Sequence, residues 1–124
     1  MTVDKLVKDM AVKAKDAARQ LRGLGQEKKD AALELMAVRL IERQTEIVQE
    51  NAKDLSAAKE KGLTSAMIDR LTLDPMTIQS MAEGLREVAA LPDPIGEVTG
   101  LWKRPNGLDV GRIRIPLGVI GFIY

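Results

Sequence analysis

The sequence predicts an α/β chain, mostly helical, that turns to strand only towards its end, and three observations carry this. Apolar residues recur at helical spacing from Val3 to Ala89. Beyond Leu91 the pattern changes to prolines, glycines and strand-forming residues around Asn106-Gly107. Residues 118–124, Gly-Val-Ile-Gly-Phe-Ile-Tyr, then form an unbroken apolar run without alternation, the pattern of a strand covered on both faces in a parallel sheet.

Thr2 has the side chain of an N-cap, and Val3, Leu6, Val7, Met10, Ala14, Ala17, Ala18 and Leu21 draw one apolar stripe on a first helix. Gly23 and Gly25 end it. A second helix over residues 26–43 carries Leu33, Met36, Ala37, Leu40 and Ile41 on one face, with Leu35 and Val38 beside them, an arc wide enough to predict burial on more than one side. A third, over residues 45–61, carries Ile47, Val48, Ala52 and Leu55 and stops at Gly62; Gln44-Thr45 is a weak break from the second. Thr64 caps a short helix over 65–71. Asp74 followed by Pro75 places an N-cap before a proline at the first helical position, so a fifth helix runs to about Ala90 with Ile78, Met81, Ala82, Leu85, Val88 and Ala89 inward. Pro92 and Pro94 stop it, and residues 91–96 are the one linker-like stretch.

Asn106-Gly107 is a strong hairpin signal, because both residues tolerate the positive φ of a two-residue type I′ turn. That turn would place opposite each other residues whose numbers add to 213. Trp102 would then cover Gly111, and Arg104 would face Asp109. Val98, Trp102, Ile113 and Ile115 would share one face; Thr99, Lys103, Arg112 and Arg114 would share the other. A strand such as 118–124 needs neighbours and a crossover helix, and none follows it here, so the chain is expected to be a piece of something larger.

Composition removes several chemistries. The 124 residues hold 19 Lys plus Arg against 18 Asp plus Glu, and a net charge of +1 gives no global attraction to nucleic acid or anionic lipid. There is no cysteine and no histidine, which excludes disulfides, a thiol nucleophile and imidazole base catalysis within these residues. The first ten residues lack the apolar core of a secretion signal, and no run reaches the ~20 apolar residues of a membrane span, so a cytoplasmic location without membrane or nucleic-acid partners is expected.

The ten glycines form neither G-x-G-x-x-G nor a P-loop. Gly118 and Gly121 allow close backbone approach by a ligand, but tight packing against the strand explains them as well. Glu34 and Glu42, Glu46 and Glu50, and Glu83 and Glu87 read as helix surface, so no metal site is expected; Met36, Met67, Met76 and Met81 read as gap fillers. Lys103, Arg112 and Arg114 could grip a phosphate, yet no interleaved aromatics accompany them on their face. From the residues alone, the chain is a helical module leading into a hairpin and a first strand, without an active site. A free-standing interaction module with a basic hairpin is the competing reading.

Longer stretches say more. Asn51-Ala-Lys-Asp-Leu, Gly62-Leu-Thr-Ser-Ala-Met-Ile-Asp-Arg-Leu-Thr-Leu, Met81-Ala-Glu-Gly-Leu-Arg, Leu91-Pro-Asp-Pro-Ile-Gly-Glu-Val, Arg104-Pro-Asn-Gly-Leu and Pro116-Leu-Gly-Val-Ile-Gly-Phe-Ile-Tyr124 closely resemble the gamma-glutamyl phosphate reductase family of the aldehyde dehydrogenase superfamily, in order and over essentially the whole chain. The resemblance implies N-terminal helices, a β-hairpin and the first strand of an aldehyde-dehydrogenase-like Rossmann-type domain. It implies residues 1–96 as the helical part of the cofactor-binding domain, 97–116 as a bridging or oligomerisation hairpin, and 117–124 as that first strand. It also implies a proline-biosynthesis oxidoreductase that takes gamma-glutamyl phosphate and NADPH to glutamate 5-semialdehyde, NADP and phosphate through a catalytic cysteine that this chain lacks. By position, Ile123 and Tyr124 match the strand end that borders the cofactor, with no cofactor expected on this piece alone. Homo-oligomerisation through the hairpin is expected too, and the exposed edges of the hairpin and of 118–124 predict self-association of the isolated chain.

Overall fold

The computed structural model describes residues 2–122. In chain order it forms α1 (Val3–Leu21), α2 (Gln26–Glu42), α3 (Gln44–Glu60), α4 (Ser65–Leu71), α5 (Pro75–Ala89), β1 (Val98–Lys103) and β2 (Asp109–Ile113). It is a mostly helical α/β chain whose two strands form one antiparallel pair. The chain divides into two compact units, residues 27–91 and the described parts of Met1–Gln26 with Pro92–Tyr124.

α1, α4 and α5 start where a side chain satisfies a free N–H group of the first turn. Thr2 Oγ1 accepts from Lys5 N–H at 3.4 Å, Thr64 Oγ1 from Met67 N–H at 3.4 Å, and Asp74 Oδ1 from Thr77 N–H at 2.6 Å with Pro75 behind it. The Asp74 carboxyl is held below its ordinary value, first by the side-chain hydrogen bond from Thr77 and then by that residue's backbone N–H. Gly62 ends the third helix at φ 71°, a conformation that favours glycine, and Leu63 N–H reaches back to the Ala58 carbonyl at 3.1 Å. Only Arg43, at φ −97° and ψ 11°, separates α2 from α3.

Within residues 27–91 the core is small. Ala37, Ala58, Ile78 and Ala82 are buried, contributed by α2, α3 and α5, and Asn51 is the buried polar residue. Asn51 clamps the turn between α4 and α5: its Nδ2 donates to the Leu71 carbonyl at 2.9 Å, and its Oδ1 accepts from Leu73 N–H at 2.8 Å. One amide thus satisfies two backbone groups that would otherwise be left without partners in a part-buried loop. Arg86 on α5 grips Glu34 on α2 through Nε and Nη2 at 3.0 to 3.1 Å. This raises Arg86 further above its ordinary value, by hydrogen bonding first and charge attraction second.

Burial on more than one side of α2 is not what the structure shows. Leu35 and Met36 are 56% and 53% exposed, and on α5 Met81 and Val88, expected inward, are 45% and 53% exposed. The wide apolar arc exists, but these 65 residues cover only one side of it.

The hairpin forms with a different turn and register from those expected. Gly107 N–H donates to the Arg104 carbonyl at 2.9 Å and Arg104 N–H to the Leu108 carbonyl at 2.8 Å, closing a three-residue loop. Gly107 has φ 87°, whereas no residue other than glycine has positive φ among the described residues, so Asn106 cannot sit in a type I′ turn. Pro105 explains the choice. Its ring fixes φ near −65°, which suits the second position of a type I turn followed by a left-handed glycine. The extra loop residue moves the register by one: Lys103 faces Asp109 with an ion pair at 3.5 Å, Trp102 faces Val110, and Leu101 faces Gly111. Arg104 therefore does not oppose Asp109, and Trp102 does not cover Gly111. Arg112 also changes face, its guanidinium lying 6.0 Å from the centre of the Trp102 ring. An irregularity between Val98 and Gly100 moves the register by one more, so that Val98 faces Ile113 and not Ile115, and Arg114 pairs with Glu97 through backbone and side chain at 2.9 and 2.8 Å.

Residues 117–122 do not form the expected strand. Leu117 is 91% exposed, and Val119, Ile120 and Phe122 are exposed with it. A parallel strand is held by hydrogen bonds to neighbours on either side, and no parallel neighbour occurs among the described residues.

Candidate functional site

The two residues expected to border a cofactor, Ile123 and Tyr124, lie outside the described residues. Of the two glycines before them, Gly118 has φ 93°, and a methyl group added at either would meet nothing within 4 Å. Neither glycine is forced by a close neighbour here. The hairpin cations are engaged with the protein itself: Lys103 with Asp109, Arg114 with Glu97, and Arg112 over Trp102. No group of three or more acidic, His or Cys side chains could hold a metal ion among the described residues, and none of their helices is long and apolar enough to cross a membrane.

The prominent concavity is a groove in the unit of residues 27–91, about 1200 Å³ in volume. Leu35, Met36 and Leu40 of α2, Ile47 of α3, Leu73 of the α4–α5 turn, and Met81, Leu85 and Val88 of α5 give it an apolar floor and walls. Three local features build it. The Asp74-Pro75 cap sets where α5 starts, the Asn51 clamp places Leu73, and the Arg86–Glu34 fork ties α5 to α2.

Most of the charge at the groove is paired; Asp54, exposed, is the lining carboxylate without an ion pair among the described residues. Arg43 meets Glu46 through two hydrogen bonds at 2.8 and 2.6 Å, which hold the Glu46 carboxyl below its ordinary value and Arg43 above its own. Arg39 meets Glu42 at 2.7 Å, and Lys53 meets Glu50 at 2.6 Å. The buried amide that lines the groove, Asn51, uses its donor and its acceptor on Leu71 and Leu73. No acid, base or nucleophile is poised inside. Chemically, the groove can accept apolar surface and little else.

Sequence reasoning placed most of these residues in a core and so missed that they line an open groove. The signal was present in the width of the α2 arc, which exceeds what the neighbouring helices could cover. The Asn51 clamp was also missed, although an asparagine interrupting the apolar positions Ile47, Val48 and Leu55 marks a buried polar residue with a backbone task.

Comparison with known proteins places this geometry. No protein-family model matches the chain. Over all 124 residues it is 56% identical to the gamma-glutamyl phosphate reductase of Moorella thermoacetica and 52% identical to that of Geobacter metallireducens, in each case matching 30% of the relative's length. Among solved structures, the gamma-glutamyl phosphate reductase of Thermotoga maritima superposes with a TM-score of 0.82 at 35% identity, over 87% of this chain and 26% of that one. The Saccharomyces cerevisiae enzyme superposes with a TM-score of 0.80 at 28% identity, over 87% of this chain and 28% of that one. This chain thus spans less than a third of the length of the curated relatives it matches. In sequence over all 124 residues, and in fold over 87% of them, the chain is similar to one part of gamma-glutamyl phosphate reductase.

Proposed function

We propose that this chain serves as the N-terminal part of a reductase that converts gamma-glutamyl phosphate to glutamate 5-semialdehyde with NADPH, in proline biosynthesis in the cytoplasm. The observation that carries the reading is identity above 50% across the whole chain to relatives that bear that enzyme's name. In this reading residues 1–96 belong to the cofactor-binding domain, the hairpin at 97–116 bridges subunits of a homo-oligomer, and 117–124 becomes the first strand of the Rossmann-like sheet once neighbours are present.

The reaction needs a thiolate to displace phosphate from the acyl phosphate and a nicotinamide to supply hydride to the resulting thioester. This chain has no cysteine, so the acyl transfer falls to residues outside it. Its described residues also lack a built nucleotide cradle: their glycines follow no phosphate-binding pattern, and the groove is lined mainly by apolar side chains. The contribution of this chain is then structural, a helical layer and a strand against which the cofactor pocket is completed. Ile123 and Tyr124 are the residues proposed to border the cofactor.

The test joins this chain to the polypeptide that the Moorella thermoacetica relative has outside the match. Reduction of NADP by glutamate 5-semialdehyde and phosphate, the reverse reaction, is then followed. Activity within about tenfold of that relative's own is expected, on the order of 1.4 kcal/mol in the barrier. A folded fusion without activity overturns the reading.

A further inference from the structure

We infer that Asn106-Gly107, at the tip of the hairpin, is a self-modifying site. The Gly107 nitrogen closes on the Asn106 side chain, and the asparagine becomes aspartate or isoaspartate at a rate set by how often the turn opens. This holds independently of the family reading.

The chain has two asparagines, in opposite circumstances. Asn51 is buried in α3, its amide is committed at both ends to Leu71 and Leu73, and an alanine follows it. Asn106 and Gly107 are exposed, and the glycine has no side chain to obstruct attack by its nitrogen and open space around it. Leu108 N–H donates to Asn106 Oδ1 at 3.3 Å, an Asx turn whose ring includes the Gly107 nitrogen, so the carbonyl under attack is held beside its attacker. One contact opposes the reaction. Gly107 N–H donates to the Arg104 carbonyl at 2.9 Å, and the nitrogen must lose that proton to act. Pro105, with its fixed φ, helps keep the turn closed. A two-stranded hairpin is marginal in water, so local opening frees the nitrogen without unfolding the helices.

On opening, the Gly107 nitrogen gives its proton to hydroxide and attacks Asn106 Cγ. The N–Cγ bond forms, the Cγ–Nδ2 bond breaks, and ammonia leaves with a proton taken from water. Water then opens the cyclic imide, at Cγ to give aspartate or at the main-chain carbonyl to give isoaspartate. Overall one water is consumed and one ammonia released, with nothing oxidised or reduced. Either product adds a carboxylate and removes the net charge of +1. Isoaspartate also routes the main chain through Cβ, adding an atom to a loop closed by the hydrogen bonds of Gly107 to Arg104 and of Arg104 to Leu108. The register beside it, Lys103 opposite Asp109, is then lost.

The 124-residue chain is incubated in mildly alkaline buffer, folded and in urea, and isoaspartate is read by peptide mass spectrometry and by labelling with an isoaspartyl methyltransferase. In the folded chain Asn106 is expected to convert about tenfold faster than Asn51 or more, yet several-fold more slowly than it does in urea. Equal rates at the two asparagines overturn the site. A rate at Asn106 that urea leaves unchanged overturns its control by the turn. Pro105→Ala loosens the turn and is expected to speed conversion in the folded chain by about threefold, and an unaltered rate counts against that control as well. Asn106→Gln is expected to abolish labelling at this position, because the longer side chain closes its ring far more slowly; label that persists there refutes the assignment. In the isoaspartate product the cross-strand contact of Lys103 with Asp109 is expected to vanish from NMR spectra, and its retention refutes the effect on the hairpin.

Discussion

Residues 27–91 and the hairpin with its following segment illustrate two ways in which a chain specifies structure. In the first region several helix boundaries are set by something close by: the Thr64 cap, the Asp74-Pro75 start and the Gly62 stop are local signals. The four helices then bury Ala37, Ala58, Ile78 and Ala82 and close around the Asn51 clamp. In the second region the hairpin is organised by its own turn, but no large side chain in β1, β2 or 117–122 is fully buried. A hairpin held by its turn and one ladder is marginal in water. Local signals suffice to define an element; burial is what makes it resist opening.

Ile78→Ala should break the contrast most. Ile78 is the largest fully buried side chain, and its loss is expected to cost about 2–5 kcal/mol, read by urea unfolding with far-UV circular dichroism. The cross-strand contacts of the hairpin, read by NMR, are expected to persist. Their collapse together with the helices would make one cooperative unit out of two. Asn51→Ala comes next. It leaves the Leu71 carbonyl and the Leu73 N–H without partners and is expected to cost about 1–3 kcal/mol, with accelerated amide exchange at Leu73.

Gly107→Ala sharpens the comparison from the other side. At φ 87° an alanine is strained by about 1 kcal/mol, so the hairpin should lose its Lys103–Asp109 register while helical unfolding stays unchanged. The smallest effect is that of pH on the Asp74 cap. The folded carboxyl sits below its ordinary value, so its stabilisation is fully present above the unfolded value near 3.8 and is lost as pH falls through the folded value. Thermal unfolding of Asp74→Asn should depend less on pH below about 4 than that of the unchanged protein.

How much was legible follows the same division. Caps and stops could be read because their physics is contained in a few consecutive residues; the ranges expected for the fourth and fifth helices agree with the structure to within a residue. The hairpin was legible as a hairpin, but its register was not. Pro105 changes the turn type, and one extra loop residue moves every cross-strand pair. The groove was hidden for another reason. Periodicity identifies an apolar face without identifying what covers it, so Leu35, Met36, Met81 and Val88 read the same whether buried by these helices or by polypeptide elsewhere. The run at 118–122 has the composition of a covered strand, but composition does not supply hydrogen-bonding neighbours.

The placement of Trp102 has a practical consequence. It is the chain's single tryptophan, it stands in β1, and the Arg112 guanidinium lies over its ring. Intrinsic fluorescence excited at the indole band therefore reports on the hairpin and is nearly silent about the helices. A denaturation curve recorded that way would follow the weaker region alone, and the protein would look far more fragile than its helical part is.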